Sequence, residues 1–222
     1  MAFKVEVWGD CACFTRPELK TERVSYDVMT PSAARGILDA IYWHPGMEWV
    51  IDSITVCNPI KFANLRRNEV KSKISSRSCA TVMNGKGKGE LWSVASENRQ
   101  QRATMMLVNV RYVIEAHIEL VPKRLGKDDN IGKFLAIIER RLSKGQCYHQ
   151  PCFGCREMIA HFKAFEGEYH CPDSLQGKRD LGYMLFDMDY SDPEHYKPLI
   201  FRAIMVDGKI TVPARTSEEV LG

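Results

Sequence analysis

Two side chains stand out for what they could do chemically: Tyr42, a phenol placed where it could meet a ligand, and Lys133, an ammonium that favours an anionic neighbour. Each belongs to a stretch that reads as an amphipathic helix. In residues 29–45, Thr30 can cap the helix and Pro31 fits its first turn, where a missing N–H costs little. Ala33, Ala34, Ile37, Leu38, Ala40 and Ile41 then supply an apolar face. Arg35, Asp39 and Tyr42 fall on a different stripe, which puts the Tyr42 hydroxyl at the edge of the buried surface. In residues 130–145, Asn130 is the expected cap, Ile131, Phe134, Leu135, Ile138 and Leu142 the core stripe, and Gly145 the stop. Lys133 projects from the first turn, against the helix dipole, so an anion beside it would offset the conflict. A solvated surface lysine is the plainer alternative.

The elements needed to position these groups follow from the alternation of apolar residues. Residues 3–8, 48–59, 104–120 and 153–165 read as strands, which with the two helices gives the order β-α-β-β-α-β. That order predicts an α+β, ferredoxin-like (RRM-like) domain over residues 1–170, an antiparallel sheet backed by two helices. Topology alone assigns no function. Residues 181–189, 197–206 and 209–212 predict a small antiparallel β appendage within 171–222, with Val206-Asp207-Gly208-Lys209 as a tight hairpin.

Between the second and third strands lies an insertion, residues 61–102, expected to form a basic hairpin. Its first part carries Lys61, Arg66, Arg67, Lys71, Lys73, Arg77, Lys86 and Lys88 against Glu69 as its only acid. Such an excess suits a nucleic-acid backbone, and Trp92 nearby offers a stacking surface; a solvated loop is the alternative.

The chain has 222 residues, 45% of them hydrophobic, and a net charge of only +3, so partners are signalled by where the basic residues sit and not by their total. The first residues alternate like a strand and lack the apolar core of a secretory signal, and no segment approaches the length of a membrane span. Eight cysteines in such a chain are expected to be reduced thiols in a cytoplasmic protein. Cys147, His149, Cys152, Cys155 and Cys171 raise a zinc site, but only Cys152 and Cys155 have a knuckle spacing, so free thiols are the expectation and no metal or cofactor is assigned. Gly85-Lys86-Gly87-Lys88-Gly89 lacks the terminal Gly-Lys-Ser/Thr of a nucleotide-binding P-loop and no helix obviously follows it, so a flexible basic hairpin tip is the expectation. Asp187, Asp189 and Asp192 lack the glycine and distal glutamate of a calcium loop.

Longer motifs are more specific. Phe14-Thr15-Arg16-Pro17-Glu18, the run from Val24 through Tyr26, Met29-Thr30-Pro31 and Arg35 to Leu38, Ile41-Tyr42-Trp43-His44-Pro45, Gly145-Gln146-Cys147-Tyr148-His149-Gln150-Pro151 and Gly154-Cys155-Arg156-Glu157 together resemble the Cas-five family of CRISPR subtype I-C, within the RAMP superfamily. The resemblance implies a metal-independent endoribonuclease that cleaves CRISPR precursor RNA in its repeat, with the RNA 2′-hydroxyl as nucleophile. It further implies that the protein keeps the 5′ handle of the mature crRNA within the Cascade complex, beside the backbone and large subunits. The family's catalytic tyrosine falls on Tyr42 and its lysine on Lys133. A histidine that follows the lysine in the best-known pattern is replaced by Phe134, which leaves His44 and His117 as candidate auxiliary groups. Arg35 joins the basic insertion as a candidate RNA contact. The alternative is a non-catalytic subunit that binds the crRNA handle, with nonspecific duplex DNA binding compatible with either reading.

Overall fold

The computed structural model describes residues 3–19, 21–86, 91–192 and 194–222. Its main feature is an antiparallel sheet in an α+β fold. In chain order the strands are β1 (Phe3–Ala12), β2 (Arg23–Val24), β3 (Met47–Val56), β4 (Phe62–Val70), β5 (Arg99–Leu120), β6 (His161–Ala164), β7 (Lys178–Asp189), β8 (Lys197–Val206) and β9 (Lys209–Thr211). The helices are α1 (Pro31–Ile41), α2 (Ser76–Met83) and α3 (Ile131–Lys144). The strands run β6-β1-β5-β3-β9-β8-β7 across the sheet, with β2 and β4 added along β5. Among the described residues no helix is long and apolar enough to cross a membrane.

β5 carries the architecture because its two halves have different chemistry. From Leu107 onward, Val110, Tyr112, Ile114, Ala116 and Ile118 are buried, and this half is clasped between β1 and β3. The earlier half, more polar, pairs with β4 from Arg99↔Val70 to Leu107↔Phe62 and projects as an arm. The basic insertion therefore is a two-stranded hairpin, and its end holds α2, a helix the sequence reading did not foresee. Ser75 caps it by accepting from the Ser78 N–H at 3.3 Å. Lys88 lies outside the described residues.

α1 and α3 form as expected. The Thr30 hydroxyl accepts from the Ala33 N–H at 3.2 Å, and Asn130 Oδ1 accepts from the Lys133 N–H at 2.9 Å. Gly145 closes α3 at φ 61, a left-handed conformation that glycine adopts without a Cβ penalty. The core stripe of α3 is narrower than expected: Phe134, Ile138 and Leu142 are buried, but Ile131 is 44% exposed. α1 packs on β3 and β7, and α3 on β5 and β6, so both helices cover one face.

The last strand of the expected order is short. Cys152 to Ile159 instead turn back in a tight loop, with the Phe153 N–H donating to Met158 O at 2.8 Å. Gly154 sits at φ +81 with an added Cβ only 2.1 Å from Cys13 O, so the loop is pressed on to β1. At the other end, Asp207 (φ 48) and Gly208 (φ 76) make the hairpin turn with both central residues left-handed, as the Asp-Gly pair predicts. β9 pairs with β3 at Ser53–Thr55, so the C-terminal strands continue the main sheet.

Candidate active site

Tyr42 is the residue on which α1 ends. Its N–H still bonds Leu38 O at 2.8 Å, while its own backbone is extended and its carbonyl accepts from the Trp49 indole at 2.9 Å. The change of backbone direction turns the ring toward α3. There it lies between Phe134, 6.3 Å between ring centroids, and the Arg141 guanidinium, 5.0 Å above its face. Arg141 also donates to Ile41 O, which satisfies a carbonyl at the open end of α1. Burial raises the Tyr42 phenol above its ordinary value of 10.0, with the Arg141 and Lys133 cations opposing that shift. At neutral pH it is a protonated donor.

Lys133 sits at the other end of Phe134. Its ammonium bonds Asp129 Oδ1 at 2.8 Å, so the anion anticipated beside the helix N-terminus is Asp129, one turn earlier. That contact holds Lys133 above its ordinary value, and the same hydrogen bond, with the Gly126 N–H, holds Asp129 below its own. His44 completes the group: Nε2 lies 3.8 Å from Asp129 Oδ2, and its ring is 5.0 Å from Phe134. The Gly46 N–H donates to His44 Nδ1 at 3.1 Å, which makes Nδ1 the acceptor and leaves Nε2 as the protonated nitrogen of the neutral ring. Trp43, 57% exposed, borders the cluster.

His117 is elsewhere. Its neighbours Ala116 and Ile118 point into the core under the helices, so His117 points from the opposite face, where Nδ1 meets Asp52 Oδ1 at 2.8 Å. It lines a separate cleft of about 450 Å³ with Arg35, Asp187 and Arg215. Alternation along a strand fixes this separation. Arg35 bonds Asp39 at 3.0 Å and Asp187 at 2.8 Å, tying α1 to β7 far from the basic arm in sequence.

The model of the CRISPR-associated protein family Cas5, of the Cas5d type, matches residues 2–213. The chain belongs to the Cas5 family. A relative from Mannheimia succiniciproducens, called CRISPR pre-crRNA endoribonuclease Cas5d, is 48% identical over 98% of this chain and 97% of its own length. A relative of the same name from Thermus thermophilus is 37% identical, over 98% and 93%. Among solved structures, a CRISPR-associated protein superposes with a TM-score of 0.71 at 25% identity, covering 100% of this chain and 97% of that one. A functionally uncharacterized protein from Streptococcus mutans gives 0.69 at 24% identity, over 100% and 97%, a likeness of fold.

In this Cas5 chain the basic arm is not uniform. Lys61, Arg66, Lys71, Lys73, Arg77 and Lys86 are exposed. Arg67 is instead drawn into an internal network, bonding Glu69 at 3.2 Å and also Glu157, while Arg23 and Arg102 meet the same Glu69 at 3.4 and 3.7 Å. Cys155 lies against this network: the Arg23 guanidinium donates to its sulfur at 3.3 Å. A hydrogen bond from Cys13, helped by Arg23, lowers the Cys155 thiol to about 6. Among the described residues no three His, Cys, Asp or Glu side chains gather in a way that could hold a metal ion.

Two members of the cluster were missed by sequence reasoning. Asp129 carried a signal, since it precedes Lys133 by four residues, the spacing of a helical ion pair. Arg141 lies seven residues after Phe134, two turns along the same stripe, but an arginine there reads equally well as a solvated surface residue.

Proposed function

We propose that the chain is a metal-independent endoribonuclease that cuts CRISPR precursor RNA within the repeat, and that Tyr42 and Lys133 are its catalytic residues. The observation that carries this reading is the gathering of Tyr42, His44 and Lys133 around Phe134, in a chain that is 48% identical to a protein called a pre-crRNA endoribonuclease. In the reaction the 2′-oxygen attacks the adjacent phosphorus, the P–O5′ bond breaks, and a 2′,3′-cyclic phosphate and a 5′-hydroxyl result. The 2′-proton is lost as the bond forms and O5′ gains one as it leaves, so no water is consumed. A neutral Tyr42 hydrogen-bonds the reacting oxygens and relays a proton between them. The Lys133 ammonium neutralises charge developing on the phosphorane, once the phosphate competes with Asp129 for it. His44, with its proton on Nε2, faces the same place and can donate to a phosphate oxygen.

The ferredoxin-like reading of residues 1–170 belongs to this proposal and is supported by the strand order β6-β1-β5-β3, with neighbours antiparallel and both long helices on one face. We read 171–222 as the β-rich extension of that unit. The partners are the precursor RNA and the mature crRNA, with the Cascade backbone and large subunits around it, in the cytoplasm where the transcript is made. The exposed cations of the arm suit RNA or duplex DNA backbone.

Two observations favour the second reading, a subunit that holds crRNA without cutting it. Phe134, fully buried, occupies the place of a catalytic histidine, and Asp129 already pairs with Lys133. Incubation of the purified chain with the repeat RNA in a chelator separates the two. Cleavage that is abolished by a single 2′-deoxy substitution at the cut supports the enzyme; intact RNA, bound tightly, supports the scaffold.

A further inference from the structure

The sheet has a second face, away from α1 and α3, and one row of side chains on it is built unlike the rest. In β1, Val5 and Val7 are fully buried toward the helices, so Glu6 and Trp8 point the other way. Trp8 pairs with His161 of β6 on one side and with Arg111 of β5 on the other. Register therefore places an imidazole, an indole and a guanidinium in line across three adjacent strands. The indole and imidazole stack at 5.8 Å with 27° between planes, and the Lys163 ammonium lies 5.6 Å from the indole centroid.

Beneath the row, Glu6 is only 3% exposed and is held by two cations, Lys163 at 3.1 Å and Arg111. Lys163 and Arg111 thus converge on one buried carboxylate, with the exposed Asp10 side chain bordering the same cleft. A shallow cleft of about 400 Å³ runs from Trp8 and Arg111 to Asn58 and Asn109. The Asn58 amide donates to Asn109 O at 2.8 Å, and Asn109 has φ 53, a left-handed conformation in the middle of a strand. A partly buried indole flanked by cations, with amides alongside, offers a π face, phosphate partners and base-edge partners together.

We propose that this row is a binding subsite for one unpaired nucleotide of RNA, its base stacked on Trp8 and its phosphate met by Lys163 and Arg111. The inference rests on the RNA-binding reading above, but not on the cleavage chemistry, since the subsite lies on the sheet face opposite Tyr42 and Lys133. It fits a single-stranded part of the transcript that the protein grips at a distance from the scissile bond, because an open sheet face with an aromatic on a central strand can stack splayed bases but cannot admit paired ones.

The test uses the full chain and a short fluorescein-labelled single-stranded RNA of mixed sequence, with affinity followed by anisotropy. Trp8→Ala is expected to weaken binding by about ten- to a hundredfold, the worth of one base on an aromatic ring. Trp8→Tyr keeps a π face and should retain most of the affinity, whereas Trp8→Leu covers the same apolar surface and should not; Trp8→Leu decides if Trp8→Ala fails to fold. Lys163→Ala should lower the slope of log affinity against log salt by about one. If the folded Trp8 variants bind within twofold of the parent, the subsite is refuted while RNA binding stands, and this face is left for a protein neighbour. If the parent binds neither this RNA nor the repeat, the functional reading falls with it.

Discussion

Tyr42→Phe separates catalysis from packing more cleanly than any other change at the site. The ring stays between Phe134 and Arg141, whose contacts at 6.3 and 5.0 Å involve its faces and edges and not its hydroxyl. Among the described residues the hydroxyl makes no hydrogen bond, so its loss leaves no partner orphaned. Removal should therefore change folding stability by less than about 0.5 kcal/mol, the range of substitutions that touch no special feature. The reaction is different. A positioned donor that strengthens its bond as charge develops is worth roughly 10²- to 10³-fold in rate, about 2.7–4 kcal/mol. Single-turnover cleavage of end-labelled repeat RNA in a chelator should slow by that factor, with RNA affinity and melting temperature unchanged. A rate within threefold of the parent would refute the role of the phenol; a fall in melting temperature matching the loss of activity would refute the claim that its part is chemical.

The remaining expectations concern the cation, pH, the loop on β1 and the arm. Lys133→Ala should lower the single-turnover rate at least tenfold while RNA affinity falls far less, and equal losses in both would make Lys133 a binding residue only. Tyr42 and Lys133 are both shifted upward from 10.0 and 10.5, so the rate should not decline between about pH 7 and 9 and should fall only as the phenol and ammonium deprotonate above that; an earlier decline in the measured profile contradicts both assignments. Gly154→Ala meets Cys13 O at 2.1 Å as well as a left-handed backbone, so calorimetry should show a loss of about 2–4 kcal/mol, and a neutral effect would mean the loop relaxes freely. Replacing Lys71, Lys73 and Arg77 together by alanine should reduce the salt slope of RNA binding by about two to three, against no change if the arm is merely solvated.

How much of this was legible in the sequence depended on whether a local rule was also the global one. Both long helices and their caps were, because Thr30 before Pro31, and Asn130 with Gly145, act within a single turn. The Asp207-Gly208 turn was legible for the same reason. Residues 153–165 misled because their apolar spacing suits a strand, while the tight return at Gly154 is set by contact with Cys13, which no local pattern reveals. α2 was hidden by its polar surroundings, having no buried residue to impose a period. Tyr42 and Lys133 could be singled out as candidates from their helix positions, yet His44 and His117 could not be ranked, since what distinguishes them is the face of the sheet each element leaves them on.

His44 is left on the helix-bearing face, beside Asp129. A lysine in the first turn of a helix conflicts with the helix dipole, and Asp129 resolves the conflict at 2.8 Å. The same carboxylate lies 3.8 Å from His44, so one anion gathers both donors a phosphate would meet. On the proposed mechanism an incoming phosphate competes with Asp129 for the Lys133 ammonium. On this reasoning Asp129→Asn should weaken discrimination: nonspecific anions such as sulfate should inhibit the variant at lower concentration than the parent. Unchanged sulfate inhibition would mean that the carboxylate serves the α3 cap alone.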